Sequence, residues 1–296
     1  EIGSGLVGSE MCIRDRGKDS CSMRTAWDDK DEKKCVTSPV SLIVSAAAPV
    51  GNVRLTLTPL LRTDKPSVLA LFDLSGGRAR MGASILAQVA QSFGDTAPDA
   101  PDAQKLVRFV KLIRKLTLAG CVTAYHDRSD GGLAATLSEM MFASHVGLDV
   151  TLDGLIDGAK DVEAATAALF NEEIGAVVQI PADRLEDVKS QAAAAGLSDC
   201  LFVVARINTT DTFKVTCGEN VLVDEKRTDL MRVWSEVSHE IARGRDNPAC
   251  ADSELEVACG TDHQGLFVKT TFDPEEHPSG PYIHSGDVRP KIAVLR

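Results

Sequence analysis

Cys121-Val122-Thr123-Ala124-Tyr125-His126-Asp127-Arg128-Ser129-Asp130-Gly131-Gly132-Leu133 is the stretch on which the fold turns. The run Cys121 to Tyr125 predicts a strand, the paired glycines predict a turn, and Leu133 to Ser144 predicts a helix. A strand, glycine turn and helix in succession offer free backbone N–H groups and the positive end of the helix dipole to an anion, with phosphate the natural guest. Asp127 and Asp130 would repel a bare phosphate. They make sense beside one if a magnesium ion lies between, because hard cations take oxygen ligands. The competing explanation is that Ser129 or Asp130 caps the helix while Gly131 and Gly132 relieve steric crowding. Spacing alone leaves the two explanations even.

Working outward, Ser41–Ala48 and Ser67–Leu74 are short apolar runs bounded by Pro and Gly, so they predict buried strands. A helix is expected over Gly82–Gln91, and a break over the Asp- and Pro-rich Asp95–Asp102. From Ala103 to Ala119, Leu106, Val107, Val110, Ile113 and Leu116 recur at helical spacing opposite Lys105, Arg108, Lys111 and Lys115, which predicts an amphipathic helix stopped by Gly120. Strands are expected at Gly147–Leu152 and Gly175–Ile180, helices at Asp161–Leu169 and Ala182–Ala195, and a closing meander of strands near Leu201–Ile207, Phe213–Cys217 and Val221–Asp224. The alternation predicts an α/β or α+β sheet domain. A helix follows over Arg227–Arg243. Gly244–Val288, polar and rich in Pro, is expected to run as a surface linker.

Three further segments are chemical candidates. Gly17-Lys18-Asp19-Ser20 looks superficially like a phosphate loop, but the spaced first glycine is missing and no helix pattern follows, so a polar turn is the better reading of its spacing. Asp73-Leu74-Ser75-Gly76-Gly77-Arg78, through Gly82 to Ser84, is a second glycine turn between a strand and a helix, explained nearly as well by a tight connection. Asn171-Glu172-Glu173 offers paired carboxylates for metal or acid–base chemistry, although such a pair is more often a solvated turn. His126 beside Asp127 is a candidate base, yet strand alternation sends the two to opposite faces.

Composition sets the bounds. The chain has 296 residues, 44% of them hydrophobic and 25% charged, enough to bury a full core in one or two domains. A formal charge of −11 with only 4% aromatics excludes a nucleic-acid stacking surface, which needs a basic face. The eight cysteines are scattered with no CxxC pair, the pattern of free thiols in a reducing compartment. No run of about 18 apolar residues is present, so no membrane span and a cytoplasmic location are expected.

Taken together, Gly17-Lys18-Asp19-Ser20-Cys21-Ser22-Met23-Arg24-Thr25, Ser38-Pro39-Val40-Ser41-Leu42-Ile43-Val44-Ser45-Ala46, His126-Asp127-Arg128-Ser129-Asp130-Gly131-Gly132-Leu133 and Phe170-Asn171-Glu172-Glu173-Ile174-Gly175-Ala176 stand in the order seen in the long phosphoribosylformylglycinamidine synthases. Arg245-Asp246-Asn247-Pro248, followed by Arg289-Pro290-Lys291, extends the resemblance to about residues 17–296. Cys21 stands where the family usually has Leu or Met.

The resemblance implies an α+β fold: a ferredoxin-like domain of the aminoimidazole ribonucleotide synthetase type, preceded by the tail of a β-rich ATP-binding domain. Residues 1–16 match no periodic pattern and are expected to be a non-native leader; the divisions the resemblance implies are the ATP-binding tail at 17–65, the α+β domain at 66–228, a helix and linker at 229–290, and the first strand of a glutaminase domain at 291–296. It also implies a ligase of purine biosynthesis that uses ATP and glutamine-derived ammonia on formylglycinamide ribonucleotide, with the glutaminase in cis. By position, Asp127 resembles a magnesium ligand and Ser129 a contact to the phosphates of ATP or ADP. Lys18, Asp19 and Ser20 are placed at the ATP-binding cleft. The matching nucleotide site in the family is the one that holds its nucleotide structurally, so a non-catalytic nucleotide-binding scaffold is the rival reading. Paralogous selenophosphate or thiamine-monophosphate enzymes fit less well, because they have no reason to carry the Arg245–Arg296 linker. No residue is assigned to catalysis, and His126, Glu172 and Glu173 receive no role.

Overall fold

The computed structural model describes residues 13–20, 23–30, 32–38, 41–94, 96–100, 102–156, 161–261, 268–276, 278 and 280, with the backbone alone for 13–20, 23, 38 and 41–47. The chain divides into two compact units, Glu1–Thr58 and Pro59–Arg296. The first contains β1 (Ile13–Ser20), β2 (Met23–Asp29), β3 (Glu32–Ser38) and β4 (Ser41–Ala47). β1 pairs antiparallel with β4, setting Lys18 opposite Ile43, Asp19 opposite Leu42 and Ser20 opposite Ser41. β2 and β3 form a separate antiparallel pair. Gly17-Lys18-Asp19-Ser20 is therefore strand, not the polar turn its spacing suggested, and β1 begins inside the stretch expected to be a foreign leader. Residues 1–12 of that stretch lie outside the described residues.

The second unit is built on a seven-stranded mixed sheet. Its elements in chain order are β5 (Ser67–Asp73), α1 (Ile85–Val89), α2 (Ala103–Leu118), β6 (Ala124–Arg128), α3 (Gly132–Ser144), β7 (Gly147–Thr151), α4 (Val162–Phe170), β8 (Gly175–Pro181), α5 (Leu185–Ala194), β9 (Leu201–Asn208), β10 (Thr212–Cys217), β11 (Asn220–Lys226), α6 (Arg227–Arg245) and α7 (Pro248–Cys259). The strand order is β11-β10-β7-β9-β5-β8-β6, and the β10–β7 pair alone is parallel.

β5 and β8 read as apolar runs, β8 interrupted only by the buried Gln179, because both faces of the sheet are covered. Leu69, Leu71 and Val177 join Leu133, Leu137, Met140 and Met141 of α3 in one core. On the other face, Phe72 meets Phe109 of α2 with ring centroids 5.4 Å apart. Helix α2 packs on the sheet through Phe109, Leu112 and Leu116, whereas Val107 and Val110 of the expected stripe are exposed, so the buried face is rotated from the one the spacing suggested. Asp102 caps its first turn by accepting the Lys105 N–H.

Four expectations need correcting. The closing strands are not a meander: β7 lies between β9 and β10, and only β10 and β11 form a hairpin. Local turn signals cannot reveal such a crossover. The helix expected from Gly82 shortens to five residues, because Gly82 and Ala83 form a turn, with Ala83 at φ 60°. The strand expected over Cys121–Tyr125 is Ala124–Arg128 instead, since its ladder with β8 runs from Ala124 opposite Gln179 to Arg128 opposite Gly175. Within the expected linker a helix forms at Pro248–Cys259, capped by Asn247 and burying Ala251 and Cys259. α6 and α7 are tied by Arg232 to Glu256 at 3.0 Å and by Arg243 to Asp252 at 2.9 Å. The strand expected at 291–296 lies outside the described residues.

Candidate functional site

Three of the singled-out segments meet at one end of the sheet. β5 ends at Asp73, β6 ends at Arg128, and the antiparallel β8 begins at Gly175 just after Asn171-Glu172-Glu173. Their charged side chains interlock. The Arg128 guanidinium, 2% exposed, donates to Asp73 Oδ1 at 2.8 Å, to the Glu173 carbonyl at 2.7 Å and to the Ile174 carbonyl at 3.3 Å. Asp73 also accepts the Ser75 N–H at 2.9 Å and the Ser75 hydroxyl at 3.0 Å, while Ser75 Oγ accepts the N–H groups of Gly77 and Arg78.

Glu173 is not part of a solvated turn. Its side chain is 0% exposed and takes a forked pair from Arg80, Nε at 2.6 Å and Nη2 at 2.8 Å, along with the Arg80 N–H at 3.1 Å. A carboxylate is held in the interior because the planar guanidinium satisfies both oxygens. A cavity of about 180 Å³ lies beside this network, lined by Asp73, Gly77, Arg78, Arg128 and Asn171 among others.

The outer side of the same end is different. Asp127, Ser129 and Asp130 are exposed. Asp127 Oδ1 accepts the Tyr125 hydroxyl at 2.6 Å, a pairing that strand alternation makes possible because residues two apart share a face. Burial, and then this hydrogen bond, push the Tyr125 phenol above its ordinary range, so it stays a donor. His126 turns to the other face, where Nε2 lies 2.7 Å from Glu139 Oε2 of α3. The two neighbours do not form a base and its orienting acid.

Neither Ser129 nor Asp130 caps α3. Gly131 is the N-cap at φ 80°, with no side-chain bond to the helix amides, and the following Gly132 has φ 65°. A Cβ on Gly132 would lie 2.6 Å from the Asn171 carbonyl oxygen, so glycine is required both by the left-handed backbone and by the close approach. The Gly131 N–H instead donates to Glu172 Oε1 at 2.8 Å.

Lys18, Asp19 and Ser20 stand on β1 of the first unit, and Asp127 and Ser129 belong to the second. Sequence reasoning singled out the segments but missed the pairing of Asp73 with Arg128 and of Arg80 with Glu173, whose partners lie far away along the chain. A second groove, of about 460 Å³, sits at the opposite end of the strands. Buried Gln179 of β8 there uses both amide atoms on Arg62, Ser67 and Thr123. That end carries none of the glycine turns.

Residues 72–218 match the model of the AIR synthase related protein, C-terminal domain. The fold is of the AIR synthase type. Residues 6–49 match the FGAR-AT PurM_N-like domain, and the two models in this order support the PurM-like superfamily. Among solved structures, Thermotoga maritima PurL complexed with FGAR is similar at 16% identity and TM-score 0.50, over 67% of this chain and 31% of that one. PurLQS from the same organism is similar at 15% identity and TM-score 0.47, over 65% and 29%. Escherichia coli HypE, a hydrogenase maturation protein, is similar at 16% identity and TM-score 0.43, over 63% and 56%. The chain spans about three tenths of the length of the PurL structures it matches. The AIR synthase-type domain contains the whole Asp73, Arg128 and Glu173 network, together with Asp127 and Ser129. Among the described residues, no helix is long and apolar enough to cross a membrane, and the cysteines Cys35, Cys121, Cys200, Cys217, Cys250 and Cys259 are free.

Proposed function

We infer that the chain is a portion of an ATP- and glutamine-dependent ligase that converts formylglycinamide ribonucleotide to formylglycinamidine ribonucleotide. One observation carries this reading: a single chain matches an FGAR-AT PurM_N-like model at 6–49 and an AIR synthase related C-terminal model at 72–218. The proposed divisions are the ATP-binding tail over 17–65, the α+β domain over 66–228, a helix and linker over 229–290 and the start of a glutaminase domain over 291–296.

Within that ligase, Asp127 and Ser129 form a magnesium–nucleotide phosphate site, with Lys18, Asp19 and Ser20 at the ATP cleft. Among the described residues, no group of three or more His, Cys, Asp or Glu could hold a metal unaided. Asp127 fits the lighter role usual for magnesium, which takes one or two carboxylates and draws its other ligands from phosphates and water. The ion would neutralise charge on the nucleotide phosphates. The Tyr125 hydroxyl orients the Asp127 carboxylate, and Ser129 offers an exposed hydroxyl at the mouth of the turn. Holding a nucleotide, rather than turning it over, is favoured by one feature: the neighbouring Asp73, Arg80, Arg128 and Glu173 are all engaged with one another or with backbone.

Calorimetric titration of the chain with ADP and magnesium tests the site. Binding that depends on magnesium and falls at least tenfold in Asp127→Ala is expected; binding unchanged by that substitution overturns the assignment. The ligase reading is tested on the complete open reading frame that contains this chain, supplied with formylglycinamide ribonucleotide, ATP, magnesium and glutamine. Failure to release the amidine overturns it.

A further inference from the structure

One oxygen of Glu172 joins the two glycine turns. Its Oε1 accepts the Gly131 N–H at 2.8 Å and the Ile85 N–H, also at 2.8 Å. Gly131 is the N-cap of α3, directly after Ser129 and Asp130, and Ile85 is the first residue of α1, directly after the Gly82–Ser84 turn.

The backbone around both turns is closely packed. A Cβ on Gly132 would meet the Asn171 and Leu169 carbonyls at 2.6 and 2.7 Å, and a Cβ on Gly82 would lie 2.4 Å from the Thr96 carbonyl carbon. The Gly82 and Ala83 N–H groups donate to the carbonyls of Thr96 and Phe93, both at 2.8 Å. Each turn is thus pinned to its own neighbours, and Glu172 is a side chain that ties one to the other. It can do so because Glu173, next in sequence, points inward to Arg80 and fixes the strand of backbone from which Glu172 projects.

We propose that Glu172 is a positioning residue for the nucleotide site: by accepting from Gly131 and Ile85 at once, it sets the Ser129–Gly131 turn in the geometry that receives a phosphate. This rests on the nucleotide reading of Asp127 and Ser129. The role needs a hydrogen-bond acceptor at Oε1 and no negative charge, since both contacts are to neutral amides. Glutamine can keep both bonds and alanine keeps neither.

The test compares Glu172→Gln and Glu172→Ala in the full chain, with two readouts. Without ligand, amide hydrogen exchange resolved by NMR at Gly131 and Ile85 is expected to quicken in the alanine variant and to stay near wild type in the glutamine variant. With magnesium and ADP, affinity is expected to fall about tenfold in the alanine variant and to recover in the glutamine variant. Equal loss in both variants would make Glu172 a charged contact to the ligand and overturn the proposal. Tighter binding in the alanine variant would make it a competing anion, and so would overturn it too. Unchanged exchange at both amides in the alanine variant removes the clamp itself. Absence of binding by the unaltered chain overturns the nucleotide reading, and the two amides then report separately on the clamp.

Discussion

Two turns of this molecule look alike in sequence and differ in what their carboxylates do. Asp73-Leu74-Ser75-Gly76-Gly77 and Asp127-Arg128-Ser129-Asp130-Gly131-Gly132 both leave a strand through an acidic residue, a serine and paired glycines. Asp73 is absorbed by the fold: Arg128 and Ser75 take its oxygens, and Ser75 in turn gathers the amides of Gly77 and Arg78. Asp127 faces outward with the Tyr125 hydroxyl on one oxygen. The lesson is that a glycine turn is available to a ligand only where its side chains are not already needed by the interior. Arg128 links the two cases, since it belongs to the second turn's sequence and serves the first turn's carboxylate.

That contrast can be broken by paired substitutions. Asp73→Ala leaves the Arg128 guanidinium buried without its carboxylate and should cost about 3–5 kcal/mol in denaturant unfolding. A cost equal to that of Asp127→Ala would show that the two turns are not different in kind. Gly132→Ala comes next, at roughly 1–3 kcal/mol by the same measurement, because its backbone is left-handed and a Cβ would run into the Asn171 carbonyl. A neutral result there would mean that α3 can move away from residues 169–171.

Asp127→Ala should change stability by no more than about 0.5 kcal/mol, as for an exposed residue, while its magnesium-dependent ADP affinity falls. Large destabilisation would place Asp127 with Asp73 as a structural carboxylate. The smallest effect concerns the far end of the helix that the second turn starts. Burial, then the nearby Arg227, hold the His145 imidazole below its ordinary value. The folded state therefore prefers the neutral ring, so its stabilising contribution is present above about pH 6.5 and is lost as pH falls toward the lower folded value. His145→Asn, which tolerates the left-handed backbone at φ 52°, should flatten the fall in melting temperature on acidification through that window. An unchanged slope would remove His145 as the cause.

Much of this was legible beforehand. The apolar runs at Ser67–Leu74 and Gly175–Ile180, the span of α2 and the helix after Gly132 appear where periodicity put them, although α2 buries Phe109 and Leu112 rather than Val107 and Val110. Their alternation left α/β and α+β open, and the family resemblance implied the α+β class. Less legible was Pro248–Cys259, where few large apolar residues mark the helix and much of the signal is the Asn247-Pro248 start. Least legible were the side-chain partners. Tyr125 and Asp127 could be paired from strand alternation, but Glu173 with Arg80, Arg128 with Asp73, and Glu172 with Gly131 and Ile85 join residues 41 to 93 positions apart.

By itself the amino-acid sequence determined most of the strands and helices of the second unit, and that glycine stands at the start of α3, since those outcomes follow from local backbone preference and the period of apolar residues. Only the tertiary structure decided that β7 slips between β9 and β10, that Asp73 and Glu173 are structural while Asp127 is free to face a ligand, and that Glu172 rather than Ser129 or Asp130 meets the first amide of the turn. Those choices depend on which ends of distant strands the sheet brings together, and a carboxylate has the same local chemistry until a guanidinium from elsewhere arrives beside it.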